Sequence, residues 1–343
     1  MIIMLTVNEF KEKFQLLKGK TIAIVYIFEN DNSSGFHHFF IWKGQVLTRW
    51  INAVYEIGCI PLILDVREFV NKSMNKTLPH IDYVLNLNSG TTELSSMALV
   101  PSTCSSIEVP CIPCNAVAIV TGEDKRLSNY IAGSIGLNVP KELDEHSNKD
   151  KLFRPINLGN SVGVSKEKNS NFTDGIWQEF IPGYDITTPI VYNPIAQQMD
   201  FLPTIMFLPN KQDNNWFYGE KEKLSRSGYI MKPVTIDDEI KRCYLALIES
   251  LSIKTFCRID ARVHSKEDGY YHNPSNNNVF FKDNYFIEIN VMPTIRENNS
   301  FLFSYNCIPD SSSLCLYLKT LNEMVDEPNI NNFLLTSSLL AFN

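Results

Sequence analysis

The chain has 343 residues with 31 Lys+Arg against 38 Asp+Glu, a formal charge of −7, and is long enough for two or three packed cores. A net-acidic chain with no long basic block excludes a surface built for nucleic acid or anionic membrane, though one pocket still suits a small polyanion. Hydrophobic residues at 44% and charged residues at 20% exclude wholesale disorder. No apolar run approaches the ~20 residues of a membrane span. Met1 to Leu5 leads directly into Glu9, Lys11, Glu12 and Lys13, which lacks the order of a signal peptide, so a cytoplasmic location is expected.

Residues 20 to 28 form a continuous β-rich apolar run followed by the polar stretch Asn30 to Gly35, which reads as a strand buried on both faces with a loop at its carboxyl end. A helical stretch from Phe40 to Ile57 precedes strands at Ile60–Asp65 and Tyr83–Leu87. This alternation predicts a parallel α/β sheet over residues 1–120. His37 and His38 follow the first strand's loop and read as incidental helix-start residues. Eight cysteines lie mostly in apolar runs, as buried hydrophobes in a reducing compartment do. Cys111 and Cys114 alone have motif spacing; one pair cannot close a zinc site and no helix is expected just after it, so packing is the expected role.

A helix is expected over Asp124 to Ile135, then a strand at Leu152–Pro155, a small-residue loop from Asn157 to Lys166 and a strand from Gly175 to Ile181. Together these predict a small α+β lid, residues 121–183. Residues 184–343 read as a larger α+β unit. Strands are expected at Asp185–Tyr192, Thr204–Leu208, Phe256–His264 and Tyr285–Val291, with a long charged loop over 209–230. Thr235 and Asp238 read as a capping box for a helix burying Ile240, Tyr244, Leu247, Ile248 and Leu251. Residues 269 to 278, within the segment 265–284, are expected to form a surface hairpin extension, and 326 to 343 carry no clear signal.

The chemistry concentrates in Arg258-Ile-Asp260 and Glu288-Ile-Asn290. On a strand, residues i and i+2 share a face, so Arg258 pairs with Asp260 and Glu288 with Asn290. If the two strands are neighbours, two carboxylates and an amide converge beside a guanidinium, an all-oxygen set that suits Mg²⁺ completed by phosphate and water. The same residues also read as the solvent face of an amphipathic hairpin.

Arg-Ile-Asp, followed some thirty residues later by Glu-Ile-Asn-Val-Met-Pro293, resembles the metal-binding strands of the ATP-grasp ligases, in particular the D-alanine:D-alanine ligase family. Asp124-Lys125, Phe153-Arg-Pro155 with the loop to Lys166, and Gln178-Glu-Phe-Ile-Pro-Gly-Tyr-Asp185 resemble the matching ATP-site blocks in the same order. The resemblance implies an ATP-grasp fold: an N-terminal Rossmann-like parallel sheet, a central lid and a C-terminal α+β domain. It also implies an ADP-forming ligase that makes an amide bond through an acyl phosphate, using ATP and two Mg²⁺ ions, with Mn²⁺ as a substitute. Asp260, Glu288 and Asn290 would hold the ions, and Arg258 would stabilise the transferring phosphoryl group. Lys125 and Arg154 would touch the α and β phosphates, with Asn160, Ser161 and Val164 in the loop that closes over them. Adenine would sit among Phe180, Ile287, Val164 and Phe217, its edge met by Gln178, Glu179 and Ile181, and its ribose by Asp185. Lys223 would reach the γ-phosphate, with Lys221 as the alternative. Ser161 and Lys223 join Arg258 as the catalytic set, and a homodimer is expected.

The substrate positions depart from that family. Asn160 stands where a Ser is usual, Leu224 where a Tyr is usual, and Met292-Pro-Thr294 replaces Met-Pro-Gly. These changes predict an amino-acid or peptide ligase of a specialised, natural-product pathway in preference to cell-wall synthesis. Leu224 would line an apolar substrate site, Thr294 would offer an N–H, and Arg296 would hold a substrate carboxylate. Two alternatives stand beside this: a D-alanine:D-alanine ligase, and an ATP-binding regulatory protein that does not turn ATP over. The complete set Arg258, Asp260, Glu288 and Asn290 favours an enzyme.

Overall fold

The computed structural model describes residues 4–27, 44–90, 94–159, 161–167, 174–211, 213, 215–264, 278–295 and 299–343. Helix α1 (Val7–Gln15) opens on a capping box between Thr6 and Glu9 and leads into β1 (Thr21–Tyr26), whose interior residues are all buried. Alternation sends Ile22 and Ile24 to one face, where they meet Phe10 of α1 and Trp50 of α2 (Gly44–Glu56). Ala23 and Val25 go to the other, against Phe69 of α3 (Val66–Met74) and Val100 and Cys104 of α4 (Leu99–Ser106). A strand covered on both faces has no polar side, which is why its sequence reads as a continuous apolar run. Strands β2 (Ile60–Asp65) and β3 (Tyr83–Leu87) flank β1 in parallel, Ala23 lying opposite Leu62 and Val84, and β4 (Cys111–Ile112) adds beyond β3.

The chain then departs from the expected pattern. A helix, α5 (Ala116–Glu123), opens directly after Cys114 on the cap residue Asn115, against the expectation of none. Cys111 and Cys114 remain thiols in packed surroundings. A hydrogen bond from the Cys111 thiol to Cys104 and burial raise Cys111, and burial raises Cys114, so neither offers a ready thiolate. Helix α6 (Lys125–Ser134) follows after the single extended residue Asp124, whose side chain accepts from the N–H groups of Arg126 and Leu127.

Strands β5 (Lys151–Pro155) and β6 (Gly175–Glu179) make an antiparallel pair of their own. The remaining strands form one large sheet: β7 (Gly183–Asn193), β8 (Gln198–Phe201), β9 (Thr204–Pro209), β10 (Tyr229–Ile236), β11 (Phe256–His264), β12 (Asn278–Val279) and β13 (Asn284–Asn290). They run in the order β12-β10-β9-β7-β11-β13, with β8 paired to β7. Within the segment expected to be a loop, Glu220–Ser225 forms a short helix, α7. Helix α8 (Asp238–Ser250) buries the apolar face expected of it, but its cap is Asp237, accepting from Ile240 N–H, while Thr235 belongs to β10. His37, His38 and residues 269 to 277 lie outside the described residues.

Helices α9 (Ser300–Asn306) and α10 (Ser313–Asn322) precede α11 (Ile330–Leu340), every residue of which is buried. Phe333, Leu334 and Leu335 pack in the same core as Trp50 and Ile22. A helix covered on all sides shows no apolar stripe, so residues 326–343 gave no readable period. Two of its polar groups are bonded inward: Asn332 Nδ2 donates to Glu56 Oε2 at 2.7 Å, and Ser337 Oγ to Tyr192 O at 2.5 Å. Among the described residues no helix is long and apolar enough to cross a membrane.

Candidate active site

One cleft lies between the β5–β6 pair, the amino end of α6, and the strands β7, β11 and β13 of the large sheet. Strands β11 and β13 are antiparallel neighbours, with Asp260 directly opposite Glu288 and Arg258 opposite Asn290. Two carboxylates facing each other across a ladder repel unless cations separate them. Here arginines do so. Arg258 grips Asp260 through Nε to Oδ1 at 2.9 Å and Nη2 to Oδ2 at 2.7 Å, and Thr187 Oγ1 donates to the same Oδ1 at 2.6 Å. Arg154 reaches across from β5, its Nη2 donating to Glu288 Oε2 at 3.1 Å and its Nη1 to Ile287 O at 3.2 Å.

Burial pushes the Glu288 carboxyl up, but Lys125, Arg154, Lys223 and Arg258 together outweigh it and hold the group at about 2. Burial opposes the charge of Arg258 as well, and Asp260 more than restores it. Lys125 and Lys223 are different, because burial lowers both and, among the described residues, neither is bonded to a carboxylate. Lys125 Nζ donates to Leu158 O at 2.7 Å, and Lys223 Nζ to Ser161 Oγ at 2.6 Å. Ser161 has a left-handed φ of 61° and Gly163 one of 72°, so the loop turns tightly and brings its hydroxyl under the lysine.

The structure gathers most of the expected residues on this cleft: Val164, Glu179, Phe180 and Ile181 from the lid side, and Phe217, Ile287 and Thr294 from the other. Gln178 lines it too, but its polar ends are already engaged, Oε1 accepting from Arg154 Nη1 at 2.7 Å and Nε2 donating to Pro140 O at 3.4 Å. It therefore orients the arginine. Lys223, half-buried, is the lysine that meets the loop, while Lys221 is exposed. Leu224 does not line the cleft: 64% of its surface is exposed, so it cannot form the expected apolar substrate wall. The reason is helical geometry, since one residue step turns by ~100° and pointing Lys223 inward sends its neighbour out. Asn160 and Arg296 lie outside the described residues.

Two charged residues of the cleft were missed. Glu123 ends α5, and burial pushes its carboxyl up to about 7, with Lys125 opposing and Glu288 adding to the rise. It comes close because Gly122 has no side chain: a Cβ there would lie 3.0 Å from Val291 Cγ1 and 3.1 Å from Ile289 O. Nothing in the sequence marks it. Arg262, 4% exposed, pairs with Asp185 at 2.7 Å. The alternation rule that joined Arg258 to Asp260 extends to Arg262 and would have found it.

Asp260, Glu288 and Asn290 are all oxygen donors on paired strands, which fits a hard divalent cation. Among the described residues no group of three His, Cys, Asp or Glu side chains is gathered closely enough to hold an ion unaided. Such a cation would need ligand oxygens to complete its shell, as Mg²⁺ does with phosphates.

No family model matches the chain. Over 214 residues it is 25% identical to the D-alanine–D-alanine ligase of Aquifex aeolicus (strain VF5), a match covering 56% of this chain and 66% of that protein. The chain thus spans slightly less than two thirds of that relative's length. Among solved structures it is similar to the D-alanine–D-alanine ligase of Bacillus anthracis complexed with ATP, with a TM-score of 0.56 and 17% identity over 94% of this chain and 97% of that one. The VanG D-Ala:D-Ser ligase of Enterococcus faecalis gives a TM-score of 0.57 at 15% identity, over 94% and 100% of the two chains. The chain has the ATP-grasp fold of these ligases.

Proposed function

We propose that this chain is an ATP-dependent, ADP-forming ligase that joins the carboxyl group of one small molecule to the amine of another. The observation that carries this reading is the convergence of Lys125, Arg154, Lys223 and Arg258 with Asp260 and Glu288 on one cleft. A substrate carboxylate oxygen would attack the γ-phosphorus with loss of ADP. The amine nitrogen would then attack the acyl carbon, expel phosphate and give up a proton. In this scheme Lys125 and Arg154 hold the α and β phosphates and Lys223 draws the γ-phosphate toward Ser161. Arg258 neutralises charge as it develops, the largest service a preorganised site provides. Asp260, Glu288 and Asn290 would hold Mg²⁺, which when bound supplies further phosphate neutralisation. Residues 1–120, 121–183 and 184–343 form the three working parts of this scheme.

Two substrate readings follow. Thr294 lies on the cleft and its carbonyl accepts a hydrogen bond from Asn299. Thr294 and Asn160, at positions that depart from the resembled family, support a specialised amino-acid or peptide ligase. The likeness to the Aquifex aeolicus enzyme supports D-alanyl-D-alanine synthesis instead. Phosphate release measured over a panel of amino acids and carboxylates, with mass spectrometry of the products, tests both. Highest kcat/KM for D-alanine alone selects the second reading. Tight ATP binding with no phosphate release from any pair replaces both by an ATP-binding regulatory protein.

A further inference from the structure

We propose that Arg262 is a positioning residue: it clasps the lysine loop to the end of the lid and so sets Lys223 over the cleft. The proposal rests on the reading of Lys223 given above. The guanidinium is buried and its donors are spread over three segments. Nε donates to Ile181 O, and Nη2 to Gly183 O at 2.9 Å, both at the junction of β6 and β7. Nη2 also donates to Trp216 O at 2.5 Å, in the loop before α7. Nη1 donates to Asp185 Oδ2 at 2.7 Å, and that same oxygen accepts from Tyr218 N–H at 2.7 Å. Arg262 and Asp185 therefore bind the loop twice, at residue 216 directly and at residue 218 through the carboxylate.

The contacts continue to the chemistry. The Tyr218 ring is stacked on Phe207 with centroids 4.0 Å apart and edges against Tyr229 at 5.0 Å. Lys223 Nζ stands 5.5 Å from the Tyr218 ring centroid and donates to Ser161 Oγ at 2.6 Å. On its other side the Arg262 guanidinium lies 4.8 Å from the Phe180 ring. Only arginine offers a rigid, planar fork of five donors that can serve three carbonyls and a carboxylate at once; lysine cannot span them. Arg262 has no bond to Lys223 and reaches it only through the loop; because its guanidinium also holds Asp185 and Phe180 of the proposed nucleotide site, turnover is compared at saturating ATP.

The test compares Arg262→Met with wild type, free of nucleotide, by amide hydrogen exchange. Exchange at residues 216 to 223 should accelerate by about tenfold or more, the effect of losing a charge-assisted bond, while β1 and β3 stay protected. Unchanged exchange in that segment overturns the clasp. In turnover assays Arg262→Met should lower kcat by about 10²-fold, as an ångström-scale misplacement does, and should lower it no further in a Lys223→Ala background. Multiplying losses in the double variant overturn action through Lys223. Should Arg262→Met not fold, Asp185→Asn keeps the shape and is read in the same exchange assay, where faster exchange of the Tyr218 amide supports the clasp and no change overturns it. If wild type shows no ligase turnover the functional reading fails, and the exchange arm still decides the clasp.

Discussion

Replacing Glu288 by Gln removes one charge from the centre of the cleft while keeping its shape. In the folded chain four cations hold that carboxyl at about 2 against an ordinary 4.5. The difference corresponds to about 3 kcal/mol of native-state preference for the ionised group. The sign follows from the depressed value: the contribution is present above pH 4.5 and is lost as the pH falls toward about 2. Glu288→Gln should therefore be less stable at pH 7 by about 3 kcal/mol, because Arg154 and Lys125 keep their burial and lose their anion. The deficit should shrink at pH 3, inside that window. Urea unfolding of the nucleotide-free and metal-free proteins, followed by circular dichroism, measures this, since carboxylates away from the cleft titrate alike in both and cancel, and Glu123, which Glu288 raises, is set to Gln in both backgrounds. Turnover should fall by at least ~10²-fold. A deficit that is the same at both pH values, or near wild-type turnover, would refute the electrostatic assignment.

The opposite pH signature is expected at Glu123. Its folded value of about 7 lies above the ordinary 4.5, so its charge costs stability progressively over that interval. Glu123→Gln should match wild type at pH 4 and exceed it at pH 8 by up to about 3 kcal/mol in the same unfolding assay. Gly122→Ala should destabilise by about 1–3 kcal/mol in thermal melts and weaken ADP binding by calorimetry, because the new methyl meets backbone at Ile289. Leu224→Ala, at an exposed site, should leave stability within about 0.5 kcal/mol and kcat/KM unchanged; a changed substrate preference would restore it to the pocket.

Legibility in the sequence followed periodicity. Strands β11 and β13 could be read because alternation sorts Arg258 and Asp260 from the apolar Ile259, and Glu288 and Asn290 from Ile289. Their adjacency, with Asp260 opposite Glu288, was a condition that only the fold could supply. Helix α5 was hidden because Ala116 to Val120 is apolar throughout, and α11 because it is covered on every side. Leu224 was misjudged because its position was counted from Lys223 along the chain, whereas a helical turn separates neighbours in space. Arg154, expected only to touch phosphate, also pairs with Glu288 across the cleft, a contact between distant segments that no local pattern announces.

That pairing organises the whole site. The cleft is lined by five bases (Lys125, Arg154, Lys223, Arg258 and Arg262) and five acids (Glu123, Glu179, Asp185, Asp260 and Glu288), so its formal balance is 5 − 5 = 0. Three of the bases are spent in ion pairs, Arg154 with Glu288, Arg258 with Asp260, and Arg262 with Asp185. Among the described residues, Lys125 and Lys223 have only neutral oxygens as hydrogen-bond partners. A buried ammonium bonded only to neutral oxygens is the least compensated cation of the site and gains most from an arriving anion. An incoming polyanion, as the proposed function supplies, would thus be drawn first to the two lysines. Under the proposed reading, Arg154 and Arg258 would turn to phosphate only where a divalent cation neutralised Glu288 and Asp260, since releasing them otherwise would expose the two carboxylates to each other across a single ladder step. In a chain of net charge −7, this internal neutralisation would let one cleft take a phosphate chain together with its counter-ions, as the proposed function requires.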